Sequence, residues 1–259
     1  MSGLASVPVP VPLPADPLAP LFELPGVAEA AESARAAVDV VHRHPANRRG
    51  WAVSATEASV RAARSSAALD GGSTQLPAEG TATDPVTAGA LRVATTLDGP
   101  GLATMLGVWR RAPLQVLARL HLLAAAGLAD TAELGRPRAG AAERLELLGQ
   151  LVTGGTRVPA AVLAAVVHGE LLGLEPFGTA DGVVARAASR LVVVSAGLDV
   201  HNLTVPEVSW LRRPEDYRRA ASGFAAGTPA GVAAWVVACC AALEAGAREA
   251  GSIADAAVS

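Results

Sequence analysis

Residues 168–186 read HGELLGLEPFGTADGVVAR, and the fold turns on how this stretch is read. Leucines and small residues at helical spacing up to Leu174 predict the end of an apolar helix. Pro176-Phe177 then enters a loop, Gly178, Thr179 and Ala180 turn it, and Asp181-Gly182 leads into a second helix that carries Arg186 in its second turn. A loop of this kind presents free backbone N–H groups at a helix N-terminus, which favours an anion.

Composition supports a helical surrounding. Of 259 residues, 51% are apolar and only 3% aromatic, so the core must be built from Ala, Leu and Val, with little signal for strands. Arginine supplies all 21 basic residues, and the net charge of -3 gives no basic field, so nucleic-acid binding is not expected. Cys239 and Cys240 are adjacent in an apolar helical segment, a spacing that suits neither a disulfide framework nor a metal site; they read as buried thiols. The N-terminus lacks a charged leader, and no apolar run reaches about 20 residues, so no membrane segment is expected and a cytoplasmic location is.

Working outward, residues 1–20 alternate Pro with Val, Leu and Ala and are expected to form a disordered tail, leaving 21–259 as one helical domain. Helices are predicted from Val27 to His44, with NRRGW (47–51) as a turn, and from Ser54 or Thr56 to a stop at Gly71-Gly72. Residues 71–85 form a polar loop, a helix follows from Val86 to Leu97, and Asp98-Gly99-Pro100-Gly101 breaks it. Further helices are expected from Pro113 to Gly127, Ala141 to Val152, Pro159 to Leu172 and Val183 to Ala196, and a long one opens at Thr228-Pro229. Eight or more helices and almost no sheet make an all-α fold.

In its spacing the stretch resembles the signature of the Fic (Fido) family, which runs His-Pro-Phe, two residues, Gly-Asn-Gly-Arg, two residues, Arg. The corresponding positions are Glu175, Pro176, Phe177, then Ala180, Asp181, Gly182 and Val183, then Arg186. His168 stands where the family often has an upstream histidine. Leu120-His121 with Gly135 and Arg138, and the later Asp216-Tyr217 with its Trp-containing helix, are similar to flanking family features. Ser66-Ala67-Ala68-Leu69-Asp70-Gly71 is similar to the family's inhibitory motif, with Asp for its Glu; the resemblance implies an ion pair between Asp70 and Arg186. The same six residues also have the form of an ordinary helix end.

The resemblance implies a Fic-like helical bundle and, for the family at large, transfer of AMP from ATP onto a protein hydroxyl. It also marks departures. The general-base histidine is Glu175, whose ordinary pKa of about 4.3 is well below the 6.5 of imidazole. The first phosphate-binding arginine is Val183, which removes a bidentate donor. Thr179 replaces an acidic residue that helps hold metal, and Asp181 replaces an asparagine, adding negative charge where a phosphate would sit. The stretch from Arg138 to Leu145 is short for the hairpin that docks a target peptide.

Two functions follow as expectations. One is a degraded or re-purposed transferase with ATP and Mg²⁺ as cofactors if active, Glu175 and His168 catalytic, Asp181, Gly182 and Arg186 at the nucleotide or anion, Ser66, Asp70 and Gly71 inhibitory, and no resident metal set. The other is a non-catalytic interaction or scaffold module that keeps the fold. An unrelated helical bundle is the third possibility. His168 and His121 also fit hydrogen-bonded structural roles, Phe177 a core anchor, and the Arg110-Arg111, Arg212-Arg213 and Arg218-Arg219 pairs solvated helix faces.

Overall fold

Eight of the twelve α-helices among the described residues carry proline in their first two positions, and in four of these a side chain caps the helix ahead of it. The computed structural model describes residues 15–73 and 84–257. In order these form α1 (Ala19–Phe22), α2 (Val27–Arg43), α3 (Pro45–Leu69), α4 (Pro85–Thr96), α5 (Gly99–Trp109) and α6 (Pro113–Ala125). There follow α7 (Ala142–Gln150), a π turn (Leu151–Gly155), α8 (Ala160–Leu174), α9 (Asp181–Ser195), α10 (Pro206–Arg212), α11 (Pro214–Ala225) and α12 (Pro229–Ala256). No strand occurs among the described residues; the one extended contact is an isolated bridge between Ala126 and Ala129.

The starts have local causes. Asp84 accepts from Thr87 N at 2.8 Å ahead of Pro85, Asp98 accepts from Gly99 N at 2.8 Å ahead of Pro100, and Thr228 accepts from Gly231 N at 3.1 Å ahead of Pro229. Each satisfies an orphan amide while proline supplies a helical φ and no donor.

One expectation is corrected and another extended. NRRGW is not a turn: His44 caps α3, its Nδ1 accepting from Ala46 N, and the helix runs through residues 47–51 with only a kink at Gly50 (φ −118°, ψ 19°). Proline at 45 ends α2 and also starts the next helix, so the chain turns at His44 rather than at residues 47–51. Likewise Asp98-Gly99-Pro100-Gly101 both ends α4 and begins α5, because an aspartate before Gly-Pro is a cap as much as a breaker.

α8 and α9 lie side by side at the centre, buried along almost their whole length. On one side α4, α5, α6 and α7 cover them, with Trp109, Leu117, Leu120 and Leu191 fully enclosed. On the other side α12 packs on α2, α8, α10 and α11, enclosing Val38, Leu203, Trp235 and Val236. α2 meets α12 through Val27, Ala31, Ala34, Val38 and Val41, spaced at threes and fours along one stripe. Burying each Val or Leu is worth about 1.5–3 kcal/mol. The small residues allow close helix contact: a Cβ at Gly89 would lie 2.0 Å from Ala124 O of α6.

One helix, α12, is long and apolar enough to cross a membrane by length and composition, contrary to the expectation that no run reaches that length; 44% of its most apolar window is buried in the core. Of the expected tail, residues 1–14 lie outside the described residues. Residues 15–20 are attached: Asp16 accepts from Thr156 Oγ1 at 2.7 Å and Arg157 N at 2.6 Å, and α1 begins at Ala19.

Candidate functional site

The loop between α8 and α9 is a tight turn held from three sides. α8 ends at Leu174, and Glu175 takes a left-handed conformation (φ 43°, ψ 58°); Ala180, just before α9, does the same (φ 54°, ψ 17°). Left-handed geometry costs a non-glycine residue about 1–2 kcal/mol, so the surroundings must enforce it. Asp181, the first residue of α9, does so by accepting from Phe177 N at 3.0 Å and Gly178 N at 2.7 Å. Arg138 N donates to Pro176 O at 2.7 Å, and the Arg138 guanidinium donates to Glu175 O. Phe177 lies flat on the His121 ring, centroids 4.2 Å apart.

His121 is fully buried. Its Nδ1 accepts from Gly135 N at 2.9 Å, which leaves the proton on Nε2 to be donated to Thr179 Oγ1 at 3.2 Å. Burial holds its pKa below the ordinary histidine value. This is a structural histidine that ties the loop of residues 130–141 to the α8–α9 loop.

Behind the loop, α9 carries Arg186 into the interior. Its Nε donates to Ser66 Oγ at 2.8 Å, Nη2 to Ser66 O at 3.0 Å and to Asp70 Oδ2 at 2.8 Å, and Nη1 to the Tyr217 hydroxyl at 3.2 Å. Because that hydroxyl accepts from Arg186, its own proton points to His168 Nε2, 2.8 Å away. Burial, helped by the Arg186 charge, pushes the His168 pKa down to about 3, and burial lifts Tyr217 to about 12. His168 is therefore a neutral acceptor under Arg186, enclosed and remote from the loop surface.

Ser66, Asp70 and Gly71 sit at the end of α3, where Gly72 N donates to Ala67 O at 2.8 Å, Gly71 N donates to Ala68 O at 3.2 Å, and Gly71 is left-handed (φ 87°). The helix end and the ion pair are thus both present. Asp70 also presses on the start of α9: a Cβ at Gly182 would lie 2.5 Å from Asp70 Oδ1. Only glycine admits the carboxylate so close to the helix N-terminus.

Above the loop is an open hollow of about 390 Å³ lined by Asp70, Glu175, Thr179, Asp181 and Gly182 with Val86 and Leu128. Three of these residues are carboxylates and none is a cation. The Glu175 carboxylate is 68% exposed, 3.8 Å from Arg138 Nη2. Val183 faces the core and is buried. Arg186, the remaining cation of the motif, is screened from the hollow by Asp70. Among the described residues no group of three or more His, Cys, Asp or Glu is placed to hold a metal ion. The arrangement disfavours a polyphosphate electrostatically, and two of the loop's amides, Phe177 N and Gly178 N, are taken by Asp181.

The structure thus brings Ser66, Asp70, Gly71, Gly182 and Arg186 together, sets Glu175 at the rim, and puts His168 on the far side of Arg186. Asp181 lines the hollow as well, with its carboxylate turned back to accept from the loop's own amides. The signal for that role is local: an aspartate side chain reaching back three and four residues to backbone amides. The bridging hydroxyl of Tyr217 carried no such local signal.

Two central helices joined by a capped signature loop, wrapped by helices on both sides, define an all-α scaffold built around that loop. The scaffold is the Fic fold: the chain superposes on a Fic family protein from Desulfovibrio desulfuricans G20 with a TM-score of 0.60 and 19% identity, covering 88% of this chain and 74% of that one. No model of a protein family and no curated protein matches the sequence.

Proposed function

We propose that this chain is a Fic-fold cytoplasmic protein related to protein AMP transferases whose signature loop has lost transfer chemistry, the fold being retained as a module for contact with another protein. The observation that carries this reading is the filling of the anion positions by the chain's own carboxylates. Asp181 takes the amides of Phe177 and Gly178, and Asp70 takes Arg186 and the approach to Gly182. A nucleotide phosphate would have to displace two negative charges and would find Val183 in place of the arginine of the family motif.

Glu175 supports the same conclusion. Its carboxylate sits at the rim, 68% exposed and 3.8 Å from Arg138 Nη2, so it is not enclosed against the hollow as a general base toward a bound hydroxyl would be. In this reading Asp70 is a permanent partner of Arg186, and no inhibition is left for it to exert.

Calorimetric titration of the full chain with ATP and ADP, with and without Mg²⁺, tests the proposal, together with mass measurement after incubation with ATP and Mg²⁺. No heat and no added AMP mass are expected for the wild type or for Asp70→Ala. Micromolar nucleotide binding, or a mass gain that disappears in Glu175→Ala, would instead establish a working transferase with Glu175 as its base.

A further inference from the structure

His168 is 3% exposed, and its side chain makes one hydrogen bond, between Nε2 and the Tyr217 hydroxyl at 2.8 Å. Its Nδ1 has no partner among the described residues. A neutral imidazole donates at one nitrogen and accepts at the other, so in either tautomer Nδ1 has a hydrogen bond to make. Buried polar atoms make theirs, if not to the chain then to water.

The ring borders a space of about 40 Å³ between α8, α9, α10 and α12. Apart from Ser189, Pro206 and Cys239, the residues around it are buried. We propose that this space is an internal hydration site, in which one or two water molecules bond to His168 Nδ1 and extend its hydrogen-bond network to Ser189 and Arg190.

The walls supply the further partners that a buried water needs, about three in all. Ser189 lies one turn beyond Arg186 on α9, and its hydroxyl makes no hydrogen bond among the described residues. Arg190 gives one of its two Nη1 protons to Asn202 Oδ1, and the other has no acceptor among the described residues. Cavities stay dry when their walls are apolar, and these walls are not.

Size and charge select the ligand. A water molecule takes up about 30 Å³ in the liquid, so the space holds one or two, while organic ligands occupy pockets of about 300 Å³ and more. The charges on the walls are already matched. Arg186 pairs with Asp70 and Arg190 with Glu207, and Asp199 accepts from Leu203 N, Thr204 N and Thr204 Oγ1 and faces His42 Nε2 at 3.0 Å. Burial keeps His168 neutral, with a pKa of about 3. A neutral ligand fits and an ion does not.

Water here joins two networks that share no direct hydrogen bond among the described residues: the chain Asp70–Arg186–Tyr217–His168 and the Arg190–Glu207 pair. The site lies inside the bundle and does not rest on the proposed function.

A crystal structure of the full chain that resolves ordered solvent tests the proposal, together with a second crystal pressurised with xenon, which enters dry cavities. One or two solvent peaks are expected in the space, one of them within about 3.2 Å of His168 Nδ1, and no xenon beside them. Absence of solvent peaks, xenon in the space, or His168 Nδ1 bonded to a protein carbonyl would each overturn it.

Discussion

Asp70 Oδ2 and Arg186 Nη2 stand 2.8 Å apart although 116 residues separate them in the chain. Arg186 is 3% exposed and Asp70 25%, so the pair sits at the boundary between the interior and the hollow. It locks the end of α3 onto the start of α9.

Replacing Asp70 by Ala leaves Arg186 buried with only neutral acceptors. Breaking a fully buried pair costs about 3–5 kcal/mol, and the partial exposure of Asp70 reduces this to about 1–3 kcal/mol. A drop in Tm of about 3–10 °C is expected. Thermal unfolding with Asp70→Asn alongside checks it, and an unchanged Tm in both variants would mean the pair contributes nothing.

Gly182→Ala should be destabilising through the same contact, by about 1–3 kcal/mol, since its Cβ would come within 2.5–2.9 Å of the Asp70 carboxylate. In the Asp70→Ala background the added methyl group has room. A double-mutant cycle by urea unfolding should therefore show positive coupling, whereas additive losses would place the strain elsewhere.

The buried Arg190–Glu207 pair is the stronger lock. Arg190 Nε and Nη2 donate to Glu207 at 2.7 and 3.0 Å, Nη1 donates to Asn202 Oδ1 at 2.7 Å, and Nη2 also donates to Thr204 O at 2.8 Å. Glu207→Ala should lose about 3–5 kcal/mol, enough to lower folded yield at 37 °C. Yield and Tm close to the wild type would contradict the burial of the pair.

Two buried groups give opposed pH dependences. His168 titrates at about 3 in the fold and near 6.5 unfolded, so its contribution is complete above about pH 6.5 and is lost as pH falls toward 3. Asp181 is raised to about 6, so its contribution is present below its unfolded value and is lost as pH rises through 6. Between about pH 4 and 6 the two slopes oppose each other. Asp181→Asn should make stability rise more steeply with pH than in the wild type, by about 1.4 kcal/mol per unit, and His168→Gln should tilt it the other way. Urea unfolding at pH 4.5, 5 and 5.5 measures both, and parallel curves for all three proteins would refute the assignment.

The local signals were readable because they act over a few residues. Helical periodicity, the opening at Thr228-Pro229 and the stop at Gly71 depend on groups within about four positions of each other. The all-α class and the placing of the loop between two helices followed from them. The error at NRRGW, and the α5 helix left unread behind the correctly placed break at Asp98-Gly99-Pro100-Gly101, arose where one signal serves two elements: a proline or capping residue that ends one helix also begins the next.

The sequence by itself determined the helical class, the register of the 168–186 loop and the pairing partners Asp70 and Arg186 through their place in the motif. What the tertiary structure alone decided is which groups face the hollow. Tyr217 inserts between His168 and Arg186, and Asp70 fills the space over Gly182. Those placements depend on how α3, α9 and α11 pack, through contacts spanning 31 to 120 residues that no local pattern encodes.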